Sequence, residues 1–158
     1  MTSEQLLDTK TLAQEVSQAF NQINGELVRT SSAQILRLLQ REGLSLPRVV
    51  ALMFVERVGA ASISDISQYL NLSLATTSYL VDQLVCEAYV TRVEDLNDRR
   101  HKLVSLAAKG KWFVDECQQT RIDELARRLE ALPAPQLAAA LDSLTDMLTH
   151  LASASSPN

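Results

Sequence analysis

The stretch of sequence that decides the fold runs Ser62-Ile-Ser-Asp-Ile-Ser-Gln-Tyr-Leu-Asn-Leu-Ser-Leu-Ala-Thr-Thr-Ser-Tyr-Leu-Val-Asp-Gln-Leu84. Its first part predicts a helix of about two turns, because Ser64 followed by Asp65 places a helix cap and then an acidic side chain at the positive helix end. Ile66 and Leu70 recur at helical spacing and form the inner stripe of this helix.

A second, longer helix is predicted after a tight turn. Asn71 tolerates the left-handed backbone conformation that such a turn requires, and Ser73 is a favourable cap for the helix that follows. Leu80, Val81 and Leu84 provide the inner face of this helix. Two helices joined in this way have the helix-turn-helix layout, in which the second helix is placed to enter a major groove.

The hydrophobic period changes from helical to alternating after Tyr89. Two short runs predict β-strands, namely Val90, Arg92 and Glu94, then Lys102, Val104 and Leu106. The polar segment 95–100 between them is the predicted tip of a β-hairpin, which projects beyond the helices as a wing.

Three helices are predicted before the central stretch. Residues 8–29 carry one apolar stripe, and residues 32–41 are predicted as a separate short helix. Ser31 or Ser32 is the candidate cap of the short helix, and Gly43 ends it. A further helix then begins near residue 45 and is predicted to bury Val49, Leu52, Met53 and Val55.

Two more helices are predicted after the hairpin, so the fold class is mainly α with a small β-hairpin wing. A long helix covers about 108–132 and is broken by Pro133 and Pro135. The last helix has a coiled-coil-like seam of leucines, made by Leu137, Leu141, Leu144, Leu148 and Leu151.

Composition and charge narrow the class of protein. Hydrophobic residues make up 46% of the chain, and no apolar run approaches the roughly 20 residues of a membrane helix. The net charge is −4, but segment 92–111 has 6 basic and 3 acidic side chains and is the only basic segment. The N-terminus lacks the pattern of a secretory signal, so the expected location is the cytoplasm.

The sequence carries no motif of catalysis. It has no phosphate-binding glycine loop, no nucleophile elbow and no paired histidine and carboxylate motif, so we expect no enzyme and no cofactor. His101 and His150 have no ligand cluster near them, which argues against a metal site. Neither Cys86 nor Cys117 is flanked by a basic cluster that would lower its thiol pKa, so buried structural thiols are the prediction and redox sensing is the alternative.

The order of elements, above all over residues 62–110, resembles the multiple-antibiotic-resistance regulator (MarR) family of bacterial transcription factors. Asp95-x-x-Asp98-Arg99-Arg100, followed by Val104-x-Leu106 and Gly110, is similar to the wing signature of that family. The resemblance implies a roughly triangular homodimer whose first and last helices interlock and whose two lobes bind a palindromic operator on double-stranded DNA. Many members are repressors released by a small aromatic ligand, and some respond to cysteine oxidation.

The resemblance divides the chain by role. Residues 1–44 are the expected N-terminal dimerisation helices, and 45–110 form the winged helix-turn-helix lobe. Residues 111–152 comprise the long helix and the C-terminal dimerisation helix, and 153–158 are expected to be a disordered tail.

The predicted DNA contacts lie on the recognition helix and the wing. On the helix they are the hydroxyl-bearing or small side chains at its N-terminal end, namely Ser73, Ala75, Thr76, Thr77, Ser78 and Tyr79. On the wing they are Asp98, Arg99, Arg100 and Lys102, where a guanidinium can enter a minor groove and Asp98 can orient it. Lys109 and Lys111 are weaker phosphate candidates. Solvated surface charge is the alternative for all of these basic residues.

The sequence departs from the family on the recognition helix. Leu74 and Tyr79 occupy positions where many relatives have a basic side chain, and no Lys or Arg occurs between Arg57 and Arg92. This departure favours the alternative function, a winged-helix dimer that has lost operator specificity and binds another protein. The Asp98-Arg99-Arg100 wing opposes that alternative.

An effector pocket is predicted where the first helix, the long helix and the lobe meet. Phe20, Tyr69 and Trp112 are its candidate aromatic lining, and plain core residues are the alternative for all three.

Overall fold

The computed structural model describes the backbone of residues 3–94 and 102–154. The elements are α1 (Ser3–Glu42), α2 (Leu46–Val58), α3 (Ile63–Leu70), α4 (Leu74–Cys86), β1 (Val90–Glu94), β2 (Lys102–Leu106), α5 (Ala108–Leu129) and α6 (Ala134–Ala154). The predicted fold class, mainly α with a small β-hairpin, is confirmed.

The chain divides into two compact units, Met1–Arg121 and Ile122–Asn158. The first contains the helix-turn-helix and the hairpin, and the second contains the end of α5 and all of α6. The division by role at residues 44, 110 and 152 stays a prediction. Among the described helices, none is both long and apolar enough to cross a membrane.

The first helix differs from the prediction, because α1 is one continuous helix of 40 residues and not two. The Ser31 and Ser32 hydroxyls were expected to cap a new helix. Instead, Ser31 Oγ donates to the Leu27 carbonyl at 2.7 Å and Ser32 Oγ donates to the Val28 carbonyl, so both serve the preceding helical turn. Back-bonding of this kind lets serine lie inside a helix without ending it. The helix ends before Gly43, whose φ of 67° is left-handed.

The core of the first unit lies beneath α2, α3 and α4. Most of the residues predicted to be buried in these helices are in it, namely Val49, Leu52, Val55, Ile66, Leu80, Val81 and Leu84. The other two, Met53 and Leu70, are partly buried and pack against it. Tyr89 and Phe113 are also fully buried and pack edge to face, with ring centroids 6.1 Å apart. Because these side chains fix the inner face of each helix, they also decide which side chains remain outside.

The N-terminus of α3 begins two residues earlier than predicted, because its cap is Ser62 and not Ser64. Ser62 Oγ accepts a hydrogen bond from the Asp65 amide at 3.1 Å, and the Asp65 carboxylate accepts one from the Ser62 amide at 2.9 Å. This reciprocal arrangement is a capping box. The Ser62 hydroxyl and amide bonds lower the pKa of the Asp65 carboxyl.

The turn between α3 and α4 is as tight as expected. Asn71 adopts φ 52° and ψ 46°, the predicted left-handed conformation, and its amide bonds back to α3. The Ser67 hydroxyl donates to the Leu72 carbonyl at 2.7 Å, which fixes the second half of the turn. The start of α4 is therefore rigidly placed relative to α3.

The hairpin is antiparallel, with Val90 opposite Leu106 and Glu94 opposite Lys102. Ala61 adds a short third segment, since its amide and carbonyl both bond to Val104, at 3.0 and 2.8 Å. This bridge was absent from the sequence prediction. It joins the α2–α3 connection to the hairpin, so the strands are fixed to the helix-turn-helix.

The second unit is a helical hairpin around the break at Pro133. Glu124 is buried and receives charge-assisted hydrogen bonds from Arg127 and Arg128, the latter at 3.2 Å. In α6 the leucine seam is largely exposed in the single chain, with Leu148 67% exposed.

Candidate nucleic-acid interface

The recognition helix α4 has a sharply divided surface. Thr77, Leu80, Val81 and Leu84 are buried, at the i, i+3, i+4 and i+7 spacing of one helical face. The outer face of the first two turns consists of Leu74, Ala75, Ser78 and Tyr79, with Thr76 exposed at its edge. The outer face is therefore uncharged and partly apolar over these two turns.

The N-terminus of α4 is capped by a small hydroxyl cluster. Ser73 Oγ accepts a hydrogen bond from the Thr76 amide at 3.1 Å and lies 2.8 Å from Thr76 Oγ1. The remaining first-turn amides have no partner within the helix, so the positive end of the helix dipole faces outward. Such an end attracts phosphate groups.

One predicted DNA contact is wrong. Thr77 was expected to face bases, but its side chain is 0% exposed and lies on the inner face of α4 with Leu80 and Val81. The helical period places it there, since residues 77, 80 and 81 share one face. Its hydroxyl is buried without a hydrogen-bond partner in the described part of the chain.

The predicted wing contacts are only partly described. Asp98, Arg99 and Arg100 lie outside the described residues. Lys102 is the first residue of β2, opposite Glu94 at the end of β1. Their assignment to DNA binding stays a prediction.

Two arginines of the lobe form ion pairs with an acidic residue of α4 or with its C-cap, Glu87. Arg92 of β1 pairs with Asp82, the acidic residue of α4, and both side chains are more than one third exposed. Arg48 of α2 is only 12% exposed and pairs with Glu87 at 2.9 Å while also donating to Gln83. These contacts hold the wing and α2 against the recognition helix. They also occupy cations that could otherwise bind phosphate.

The two weaker phosphate candidates are also engaged. Lys111 Nζ lies 2.7 Å from Glu56 and 2.8 Å from Asp115, and the hydrogen bonds that it donates to the Asp115 and Glu56 carboxylates raise its pKa. Lys109 Nζ lies 4.0 Å from the centroid of the Tyr89 ring. Both lysines are thus engaged within the chain, and their assignment to phosphate binding stays a prediction.

A polar pair lies behind the recognition helix, in the core of the first unit. The buried Tyr89 hydroxyl donates to Glu42 at 3.0 Å. Burial, and then this hydrogen bond, raise the pKa of Tyr89 to about 12, and the same bond lowers the pKa of Glu42. The pair joins the end of α1 to the start of β1, so α1 is attached to the lobe by a charge-assisted hydrogen bond.

The three candidate effector-pocket residues do not share a pocket in the single chain. Tyr69 stacks on Phe54, with centroids 4.3 Å apart, and lines a concavity of about 260 Å³ between α2 and the turn after α3. Trp112 lies under Arg41 at 5.8 Å and borders a different concavity, whose lining belongs to α5 alone. Phe20 is 46% exposed on α1. The prediction of a shared pocket therefore stays untested.

The two cysteines differ from each other. Cys117 is fully buried as predicted, and burial raises the pKa of its thiol, which makes it less reactive. Cys86, however, is exposed at the last position of α4, so the prediction that it is buried was wrong. It lies on the outer side of α4, away from the face formed by Leu80 and Leu84.

Comparisons with known proteins agree with this geometry. Residues 44–102 match the model of the MarR family. The chain is 28% identical over 102 residues to the uncharacterized HTH-type transcriptional regulator YfiV of Bacillus subtilis, covering 65% of this chain and 64% of that protein. It is 31% identical over 80 residues to the HTH-type transcriptional regulator PapX of Escherichia coli, covering 49% of each. The matched segments thus span less than two thirds of the length of these two relatives.

Solved structures share the fold at low sequence identity. The transcriptional regulator Tm0710 of Thermotoga maritima superposes with a TM-score of 0.72 at 20% identity, over 89% of this chain and 99% of that one. A mutant of S. aureus MepR bound to an oligodeoxyribonucleotide superposes with a TM-score of 0.56 at 22% identity, over 86% and 97%. Both of the relatives named above are described as HTH-type transcriptional regulators. Residues 44–102, which contain the helix-turn-helix and the first strand, β1, are thus similar to the MarR family, as the sequence resemblance indicated.

Proposed function

We propose that this protein is a homodimeric transcriptional repressor that binds a palindromic operator on double-stranded DNA and is released by a small-molecule effector. The observation that carries the proposal is the outward-facing N-terminal end of α4, whose inner face is locked into the core by Leu80, Val81 and Leu84. A rigid helix whose N-cap leaves other first-turn amides without a partner in the helix, and whose outer face is solvent-exposed, has the form required to enter a major groove.

The proposed docking follows from the twofold symmetry of a dimer. Two α4 helices enter successive major grooves on one side of the duplex, about 34 Å apart, and the wings reach the flanking minor grooves. The relative MepR, bound to an oligodeoxyribonucleotide in its solved structure, supports a DNA partner for this chain.

The proposed cationic contacts are Arg99 and Arg100. In the described part of the lobe, Arg48, Arg92 and Lys111 each have an acidic partner within the chain. Binding of phosphates by those three would require breaking an existing ion pair. The wing arginines are therefore assigned the phosphate and minor-groove contacts, with the helix dipole of α4 as a second, uncharged contribution.

The proposed homodimer is supported by apolar surface on the first and last helices, α1 and α6. The predicted stripe of α1 is exposed in the single chain, at Leu12, Val16, Phe20 and Ile23. The seam of α6 is exposed too, at Leu141, Leu144, Leu148 and Leu151. Apolar stripes along two helices are typical of helical dimer interfaces, because burial of such side chains drives association.

Effector release is proposed as a shift between two arrangements of the dimer. A ligand that binds only one arrangement changes the spacing of the two α4 helices and thereby the fit to DNA. Phe20, Tyr69 and Trp112 remain the proposed aromatic contacts of that ligand.

The test is fluorescence anisotropy with duplex DNA from immediately upstream of the gene, at about 50 and about 150 mM salt and with competitor DNA. We expect saturable binding that survives competitor and weakens steeply with salt, because phosphate contacts release counterions. Arg100→Ala should weaken binding to every sequence and flatten the salt dependence. Arg29→Ala is the matched control, since Arg29 is an exposed arginine of α1 with a neighbouring glutamate.

Two results of this experiment would contradict the proposal or a part of it. Absence of binding at both salt concentrations by a folded dimer would reject the repressor and would favour a winged-helix dimer that binds another protein. Normal binding by Arg100→Ala would reject the wing assignment alone.

A further inference from the structure

We propose that the recognition helix α4 reads the methyl group at C5 of pyrimidines, in ordinary DNA the methyl of thymine, through Leu74 with Ala75 and Tyr79 beside it. This inference rests on the proposed DNA-binding function. It predicts operator half-sites with A·T pairs at the positions nearest the N-terminus of α4.

Leu74, Ala75 and Tyr79 are exposed side chains with apolar surface in the first two turns of α4. Leu74 is the first residue of α4 and is 58% exposed, and Tyr79 is 65% exposed. At about 100° per residue, Tyr79 lies about 140° around the helix from Leu74, with Ala75 between them. Together they form an apolar strip across the part of the helix that enters a groove first.

The polar groups of the same turns are poorly suited to read bases. The Ser73 and Thr76 hydroxyls bond to each other, and Ser73 Oγ also accepts the Thr76 amide hydrogen. Positions 74–81 contain no Arg, Lys, Asn or Gln. Guanine is usually read by Arg or Lys and adenine by Asn or Gln, so neither direct readout is available from these two turns.

The two polar residues that follow on α4, Asp82 and Gln83, already have partners within the lobe. Gln83 accepts a hydrogen bond from Arg48, and Asp82 pairs with Arg92. The pairing of Asp82 matters for docking, because a free carboxylate on this face would repel the phosphates of a groove. The outer face of α4 thus presents apolar atoms to the groove while its nearby charge is neutralised.

A major groove offers one apolar feature on its base edges. The C5 methyl of thymine is that group, and Ala, Thr and aromatic side chains make apolar contact with it. Leu74 and Tyr79 exchange water for methyl contact when such a pair lies beneath them. Loss of one buried methyl contact should weaken Kd about fourfold, which corresponds to about 0.8 kcal/mol.

The experiment uses one randomised duplex library amplified with dTTP and in parallel with dUTP, which lacks the C5 methyl. The purified full-length protein selects from each library, and Kd is measured on the enriched duplexes synthesised with thymine or uracil. We expect an A·T-rich motif from the dTTP library and about fourfold weaker binding for each contacted thymine replaced by uracil. A third library, with dUTP and 5-methyl-dCTP, carries the methyl on cytosine only and distinguishes the two sources of the methyl group.

Two variants test whether Leu74 is the side chain that contacts the C5 methyl group. Leu74→Ala should bind thymine and uracil duplexes with nearly equal Kd, because the contact partner of the methyl is gone. Leu36→Ala is the matched control, since Leu36 is 56% exposed on α1, and it should retain the full difference. Alanine is favourable in helices, so neither variant should lose its fold.

Three results are decisive. Equal affinity of the unmodified protein for thymine and uracil duplexes would overturn methyl readout and leave the DNA-binding function standing. Retention of the full difference by Leu74→Ala would overturn the role of Leu74. Absence of any enriched sequence in all libraries would reject the proposed function itself, and methyl readout with it.

Discussion

Ala88 is held in a backbone conformation that costs free energy, and replacing it with glycine should stabilise the protein. Its φ is +62°, in the left-handed region. The residue follows the C-cap of α4, where the Ala88 amide donates to the Val85 carbonyl at 3.0 Å and the Tyr89 amide donates to the Leu84 carbonyl at 2.9 Å. These two bonds form a Schellman motif, whose left-handed position is usually glycine.

The size of the gain follows from two opposing effects. Left-handed backbone costs an L-residue about 1–2 kcal/mol, and glycine relieves this cost. Glycine also increases the conformational entropy of the unfolded chain, which lowers stability by about 0.4–1 kcal/mol. The expected net increase in the free energy of unfolding of Ala88→Gly is therefore about 0.5–1 kcal/mol, since both hydrogen bonds of the motif involve backbone atoms only and are retained.

The measurement is equilibrium unfolding in urea together with thermal unfolding, at one fixed protein concentration because dimerisation adds to stability. A gain of this size should raise Tm by about 1–4 °C in a chain of this length. Ala126→Gly is the control, because Ala126 is exposed in the regular helix α5, where glycine should cost about 1 kcal/mol. If Ala88→Gly lost as much stability as the control, the argument from backbone strain would be refuted.

Three further predictions concern the folded state. Gly110→Ala should lower the free energy of unfolding by about 1–3 kcal/mol, because the added Cβ would lie 2.0 Å from the carbonyl oxygen of Tyr89. Gly25→Ala is the control and should raise it, because nothing lies within 4 Å of the added Cβ at that position. A neutral effect of Gly110→Ala in urea unfolding would contradict the close packing. Thr77→Val should raise the free energy of unfolding by about 1 kcal/mol, because a buried hydroxyl with no hydrogen-bond partner in the described part of the chain is removed. It should leave the DNA sequence preference unchanged, because the side chain is buried. An altered preference in the selection experiment would restore Thr77 as a base contact. The Asp65 carboxyl has a lowered pKa in the folded chain, so its contribution to stability is full above the unfolded pKa of about 3.8 and is lost as pH falls through the folded pKa. The free energy of unfolding, measured from pH 6 to pH 2, should therefore fall less for Asp65→Asn than for the unmodified protein. Equal slopes of the two proteins would contradict the capping box.

The helix-turn-helix was predictable from sequence because its signals are local. Asn71 in the turn, Ser73 at the cap, and the spacing of Leu80, Val81 and Leu84 each depend on a few neighbouring residues, and each was confirmed. The error at Thr77 had a readable signal too, since it lies three residues before Leu80 on the same face. A hydroxyl was taken as a sign of exposure, although the helical period requires burial at that position.

Other features could not be read from local spacing, because they depend either on competition between two local bonds or on partners distant in the chain. Whether Ser31 starts a helix or continues one depends on the competition between a cap and a bond to the Leu27 carbonyl, and both use the same hydroxyl. The pairing of Ala61 with Val104 joins segments 43 residues apart, with no repeating pattern between them. The ion pair of Arg48 with Glu87 is equally remote, so sequence alone leaves both side chains as ordinary surface charges.

The ion pairs of the lobe decide how affinity and specificity divide between its parts. Asp82 lies on the outer face of α4, where an unpaired carboxylate would oppose a phosphate backbone, and Arg92 neutralises it from the adjacent strand. Arg92 is thereby withdrawn from phosphate binding, as Arg48 is by Glu87. Under the proposed function, salt-sensitive affinity then depends on Arg99 and Arg100, while discrimination between sequences depends on the uncharged outer face of α4. Arg92→Ala should for this reason weaken DNA binding without removing a phosphate contact, and Asp82→Asn in the same chain should restore it, because the repulsive carboxylate is then gone.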